Sequence, residues 1–163
     1  MEIQLERVPA AKKEALFRLL QYSLFEESST DQNEIGDDAL FDYPWFDFYF
    51  TEPEREAYFI REKENGKLLG FVMINTYLKK ASNGHSIAEF LVLPKYRRQT
   101  IGKQAAFACF DKHAGIWEVS PSYGSDSAYR FWKHVIEDYT QKKFCFEDGL
   151  FTFQSSRSDA NNA

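Results

Sequence analysis

Apolar and polar positions along this chain change period several times, and each change predicts an element. Ile3 and Leu5 alternate with polar neighbours over residues 2–8, which predicts a strand. Between Pro9 and Ser28 the apolar positions Leu16, Leu19, Leu20 and Leu24 follow helical spacing, with Pro9 near the entry. Residues 29–44 are polar, acidic and turn-rich, so they read as loop; the aromatic-dense segment 44–52 predicts a short helix after Pro44. Two apolar runs, Ala57–Arg61 and Leu68–Tyr77, flank Asn65-Gly66 and predict a hairpin. A further strand over 85–94 is closed by Pro94, a helix follows over 102–113, and a strand over 115–122. Ala128, Phe131, Trp132, Val135, Ile136 and Tyr139 form one continuous helical stripe within 125–140, with Ser125 or Asp126 as cap. "KKFCFED" and "LFTFQ" alternate around Asp148-Gly149, a second hairpin signal.

The resulting order is β-α-(α)-β-β-β-α-β-α-β-β. Consecutive strands predict antiparallel pairing, and the strand–helix–strand run from 85 to 122 predicts a parallel crossover. The fold class expected is α/β (α+β): one mixed, mostly antiparallel sheet of seven strands flanked by helices. Residues 1–155 are expected to make a single domain, and the polar tail 156–163 is expected to be disordered.

Composition supports a packed core rather than a disordered chain, since 44% of residues are hydrophobic and 17% aromatic. A net charge of −5 leaves no global basic field for nucleic acid. The charge is uneven, though. Residues 26–56 are rich in acids with Arg55 as their one base, whereas Lys95, Arg97, Arg98 and Lys103 fall within a stretch without acids. These are either two solvated faces or two binding regions of opposite sign. Cys109 and Cys145 each sit among apolar neighbours and belong to no C-x-x-C, which predicts reduced core thiols in a cytoplasmic protein. No signal peptide or membrane span is expected. His85, His113 and His134 are too scattered in sequence to suggest a metal site.

Two features carry chemistry. The strand 87–93 is apolar on both sides, with Ile87, Leu91 and Leu93 expected on one face with Glu89, and Ala88, Phe90 and Val92 on the other. A carboxyl in such a strand is either exposed at the strand's start or a general base whose proton is held by burial. Immediately afterwards, Arg97, Arg98, Gln99, Thr100, Ile101 and Gly102 lead into a helix. A helix start offers free N–H groups and a positive dipole end, Gly102 allows close backbone approach, and the arginines add charge, a combination that suits phosphate.

"LVLPKYRRQTIGKQAA" resembles the acetyl-CoA-binding signature of the GNAT acyltransferase superfamily, with Leu93, Pro94, Tyr96, Arg97, Thr100, Ile101 and Gly102 on its positions. "SDSAYRFWKHVI" resembles the family's second signature, and the element order is similar to the family fold over roughly 2–153. The resemblance implies an acetyl-CoA-dependent N-acetyltransferase that passes an acetyl group directly to an amine of a small molecule or peptide. Leu91, Val92 and Leu93 would offer backbone groups to the acyl-pantetheine portion. The amides from Arg97 to Lys103 would cradle the pyrophosphate, and Ser125, with Tyr129 as a further candidate, would lie near the lower pantetheine or the thiol. Glu89 would deprotonate the acceptor. Trp132 stands where many members carry an acidic tyrosine, and indole cannot serve, so Tyr129, Tyr123 or solvent would reprotonate the thiolate. Thr100 replaces the usual first glycine; because β-branched residues disfavour positive φ, either its turn is expected to be α- or β-like or the phosphates are expected to sit slightly differently. The rival reading is a non-catalytic acyl-CoA-binding or protein-interaction module of the same fold. No metal, nucleic acid or membrane is called for, and an exposed hairpin edge could build a homodimer.

Overall fold

The computed structural model describes residues 1–156; the expected disordered tail falls, but for Ser156, outside the described residues. Seven strands form one sheet: β1 (Ile3–Arg7), β2 (Arg55–Glu62), β3 (Leu68–Asn75), β4 (His85–Val92), β5 (Gly115–Val119), β6 (Phe144–Glu147) and β7 (Leu150–Ser155). Their order is β1-β2-β3-β4-β5-β7-β6. All neighbours are antiparallel except β4 and β5. The helices are α1 (Lys13–Glu27), α2 (Ile101–Lys112) and α3 (Asp126–Thr140). The aromatic segment expected to be helical forms a short 3-10 turn, Phe46–Phe50.

Two apolar layers hold the sheet. Leu16, Leu19, Leu20 and Leu24 of α1, with Phe46 and Tyr49, pack on Ala57, Phe59, Phe71, Met73 and Leu91. On the opposite face Ile101, Ala105, Cys109 and Phe110 of α2 and Trp132, Val135 and Ile136 of α3 pack on Ile60, Val72, Ile74, Trp117 and Phe151. The α3 stripe read from the sequence is therefore the buried stripe, and each fully buried side chain of this size contributes about 1.5–3 kcal/mol. Cys109 is buried, as expected, but Cys145 is exposed. It lies on edge strand β6, where alternation turns every second side chain to solvent.

One irregularity matters for function. The β3–β4 register runs from Met73↔Glu89 to Ile74↔Ile87, so Ala88 is an extra residue in β4. This β-bulge overturns the expected face assignment. Ile87 joins Phe90 and Val92 against α2 and α3, while Ala88 joins Leu91 and Leu93 on the α1 side. Simple alternation could not show this, because one inserted residue reverses every side chain before it.

Candidate functional site

β4 and β5 pair over three positions only, from His85↔Trp117 to Ile87↔Val119. Beyond Ile87 the strands diverge, so the second half of β4 has β3 on one side and an opening on the other. Leu93 N donates to Leu69 O at 2.8 Å across β3. Strand alternation then turns the main-chain groups of Leu91 toward β3 and those of Val92 toward the gap.

α2 begins at one end of this gap. Thr100 precedes it with φ +65°, and Arg98 has φ +63°. The α- or β-like turn expected at Thr100 is thus overturned: the left-handed geometry of the usual glycine is kept although the residue is β-branched, at a cost of about 1–2 kcal/mol. Strain held in this way is characteristic of sites where the surroundings impose the backbone. The main-chain N–H groups of residues 98–103 have no acceptor among the described residues, and the first bond of the helix is Gln104 N to Thr100 O at 3.0 Å. The N–H of Arg97 is spent on Pro94 O at 3.2 Å. Gly102 is required by packing: a Cβ there would lie 2.8 Å from the Phe131 ring. The close approach it permits is therefore to α3.

The cations of this segment divide. Arg97 Nε donates to Val92 O at 2.8 Å, and its guanidinium pairs with Glu26 at 2.7 Å. Lys103 pairs with Asp138 of α3. Arg98 is exposed and makes no ion pair among the described residues. Gln99 Nε2 donates to Lys95 O. The residues 98–103 thus fit an anion through main-chain donors, the dipole end of α2 and the exposed Arg98 guanidinium.

A cleft of about 750 Å³ opens where β4 and β5 part, lined by Glu27, Asn75, Glu89, Ser125, Tyr129 and Phe146 among others. It brings Glu89, Ser125 and Tyr129 together, whereas residues 97–103 lie outside it. Residues 89–93 link the two places, a span of about 13 Å. Burial, and then the neighbouring Glu27 carboxyl, hold the Glu89 proton well above the usual carboxyl range. Glu27 is raised as well, by burial and Asp31. The Tyr43 hydroxyl faces Glu89 and is raised by burial and that charge. Ser125 Oγ caps α3, accepting from Ala128 N at 3.2 Å. Tyr129 packs its ring against Phe146 and Phe151, and its hydroxyl has no partner among the described residues. Trp132 is core, edge-on to Phe90.

Three participants escaped the sequence reading. Glu27 and Tyr43 lie in or beside the acidic segment, too far from β4 in sequence to be linked with it. Glu118 is a buried acid in the apolar strand "GIWEV", the same signal that marked Glu89. Its carboxylate accepts from Lys79 N, Lys80 N and Ala81 N at 2.7, 3.1 and 2.8 Å. Burial would raise its pKa, but these three bonds outweigh that and lower it. Glu118 therefore ties the loop after β3 to the cleft wall. The histidines scattered in sequence do partly meet: His85 and His113 stack at 3.8 Å, and His113 Nε2 lies 2.5 Å from Glu56.

A family model described as the acetyltransferase (GNAT) family matches residues 21–140. The chain belongs to that family. Solved structures agree in fold. An acetyltransferase from Thermus thermophilus is similar with a TM-score of 0.66 and 13% identity, over 94% of this chain and 97% of the other. A spermidine N-acetyltransferase from Vibrio cholerae, in complex with CoA and spermine, gives 0.65 at 8% identity, over 96% and 97%. A histone acetyltransferase HPA2-related protein from Corynebacterium glutamicum gives 0.65 at 8%, over 96% and 98%. At such identities the likeness is one of fold. No curated protein sequence matches the chain. In this GNAT chain the splayed strands, the α2 start and the carboxyl-bearing cleft belong to the seven-stranded sheet that gives it the family fold. No helix among the described residues is long and apolar enough to cross a membrane.

Proposed function

We propose that this GNAT-family chain is an acetyl-CoA-dependent N-acetyltransferase acting on an amine. The observation that carries the reading is the row of N–H groups at residues 98–103 that have no acceptor among the described residues, joined by the second half of β4 to a cleft that holds a carboxyl of raised proton affinity. When bound, acetyl-CoA supplies the activated acyl group as a thioester. Amides 98–103 and Arg98 hold its pyrophosphate, while Arg97 braces the loop against β4 and α1. Because Arg97 takes Val92 O, the Val92 N–H is the main-chain group that aligns the pantetheine arm and polarises the acyl carbonyl. Glu89 takes the proton of the acceptor amine, and the Tyr129 hydroxyl, without a partner among the described residues, returns one to the sulfur. A thiol with a free pKa near ~8.5 is a good leaving group, so this acid need contribute little.

The amine class is supported by the acidic cleft and by the Vibrio cholerae neighbour, a spermidine N-acetyltransferase bound to CoA and spermine. The rival, a non-catalytic module of the same fold, is favoured by one observation, Trp132 buried in the core where an acid would otherwise stand. Thiol release from acetyl-CoA with a panel of primary amines separates the two. Amine-dependent release supports the enzyme. Coenzyme A binding without release on any amine supports the module, and absence of binding rejects both.

A further inference from the structure

The last turn of α1 departs from the usual rule of helix ends. A helix C-terminus favours cations, yet α1 closes on Glu26 and Glu27 with no base in its final turn. Glu26 is answered by Arg97. Glu27 instead lines one cleft with Glu89 and Ser122, and the groups acting most strongly on either carboxyl include no cation. Both Glu27 and Glu89 line the same cleft. Three independent features create the contact: the end of α1, the bulge that puts Ala88 and Glu89 together on the α1 side, and the turn that brings Asp31 close behind. Tyr43 faces Glu89 from the loop before the 3-10 turn, Ser122 faces Glu27 from the loop before α3, and Glu26 adds its charge along α1. Two carboxyls in contact in such a place cannot both ionise cheaply, so one proton stays between them.

We infer that Glu27 and Glu89 work as one carboxyl pair holding a single proton, and that the acceptor is an amine arriving as a cation, its charge met by the single negative charge of the pair. This rests on the reading of Glu89 as general base and adds Glu27 as its positioning residue. The ammonium N–H bond breaks and its proton passes to the ionised oxygen of Glu89, leaving a neutral amine. Nitrogen then bonds to the thioester carbon as the carbon–sulfur bond breaks. The second amine proton reaches sulfur through Tyr129, and Glu89 returns its proton to water. A carboxyl whose proton affinity is raised by its neighbour is better matched to an ammonium than an ordinary carboxylate.

The test follows the carboxyl signals of Glu27 and Glu89 by NMR in the full chain with isotope-labelled glutamate, assigned with Glu27→Gln and Glu89→Gln. Expected are two coupled titration steps in the unsubstituted protein and a Glu89 midpoint lowered by about one unit or more in Glu27→Gln. Glu27→Asp, which keeps a carboxyl, restores part of the coupling. Adding n-butylamine shifts both signals, and adding n-butanol does not. An unchanged Glu89 midpoint in Glu27→Gln, or equal responses to amine and alcohol, overturns the inference. Full turnover in Glu89→Gln would instead remove the general-base reading, whatever the titration shows.

Discussion

Two helix ends flank β4, and they are built in opposite ways. The start of α2, where we place the anion, is made mostly of main chain: N–H groups 98–103 have no acceptor among the described residues, the backbone of Arg98 and Thr100 is left-handed, and two nearby cations are already spent on Glu26 and Asp138. The end of α1 is made of side chains, Glu26 braced by Arg97 and Glu27 set against Glu89. A main-chain site resists single substitutions, because no side chain carries most of it. A side-chain site fails with one atom. Adjacent residues of one helix end thus face two different places, Glu26 the loop before α2 and Glu27 the Glu89 carboxyl.

The difference predicts unequal responses. The largest effect is expected from Glu89→Gln, which should lower kcat/KM for amine acetylation about 100-fold or more while coenzyme A affinity, measured by calorimetry, stays unchanged. The same variant should be more stable at alkaline pH. The folded state holds the Glu89 proton more tightly than the unfolded chain, so that contribution is fully present below the ordinary carboxyl value of ~4.3 and is lost as pH rises through the raised one. The melting-temperature difference between Glu89→Gln and the unsubstituted protein should therefore grow with pH above that value, then level off. A difference independent of pH would mean that Glu89 ionises freely.

Next comes the packing beneath the start of α2. Gly102→Ala places a methyl against Phe131 and should cost about 1–3 kcal/mol in denaturant unfolding. No loss would mean that α2 and α3 can part. Arg98→Ala should weaken coenzyme A about three- to tenfold, and less at high salt, because it removes a guanidinium that makes no ion pair among the described residues but none of the N–H groups. A much larger loss would make the site a side-chain site after all. The smallest effect has the opposite sign: Thr100→Gly relieves the left-handed strain and should stabilise by up to about 1 kcal/mol, with coenzyme A affinity kept. Destabilisation there would show that the threonine side chain, which accepts from Gln104 Nε2 at 3.2 Å, holds the turn.

Periodicity made the scaffold legible. The α3 stripe, both hairpins and the parallel crossover are local patterns, and each stands in the fold with ends shifted by a few residues. The α2 start was legible as a location, because a strand, a Pro-containing turn, paired arginines and a helix occur in order. Its details were not. Nothing local says that Arg97 will turn to Val92 and Glu26, or that Thr100 accepts a positive φ, since both depend on α1 and β4 meeting there. The bulge at Ala88 was hidden because either register keeps apolar residues on both faces. The Glu27–Glu89 contact joins residues far apart in sequence, and its only local sign was two acids at the end of a helix.

The central claim is that a diphosphate settles on the main chain at the start of α2. Amide NMR of the isotope-labelled protein titrated with coenzyme A tests it most directly. The account predicts that the N–H signals of residues 98–103 move the most and saturate together. Saturable binding that leaves those signals in place, or no binding, would contradict it.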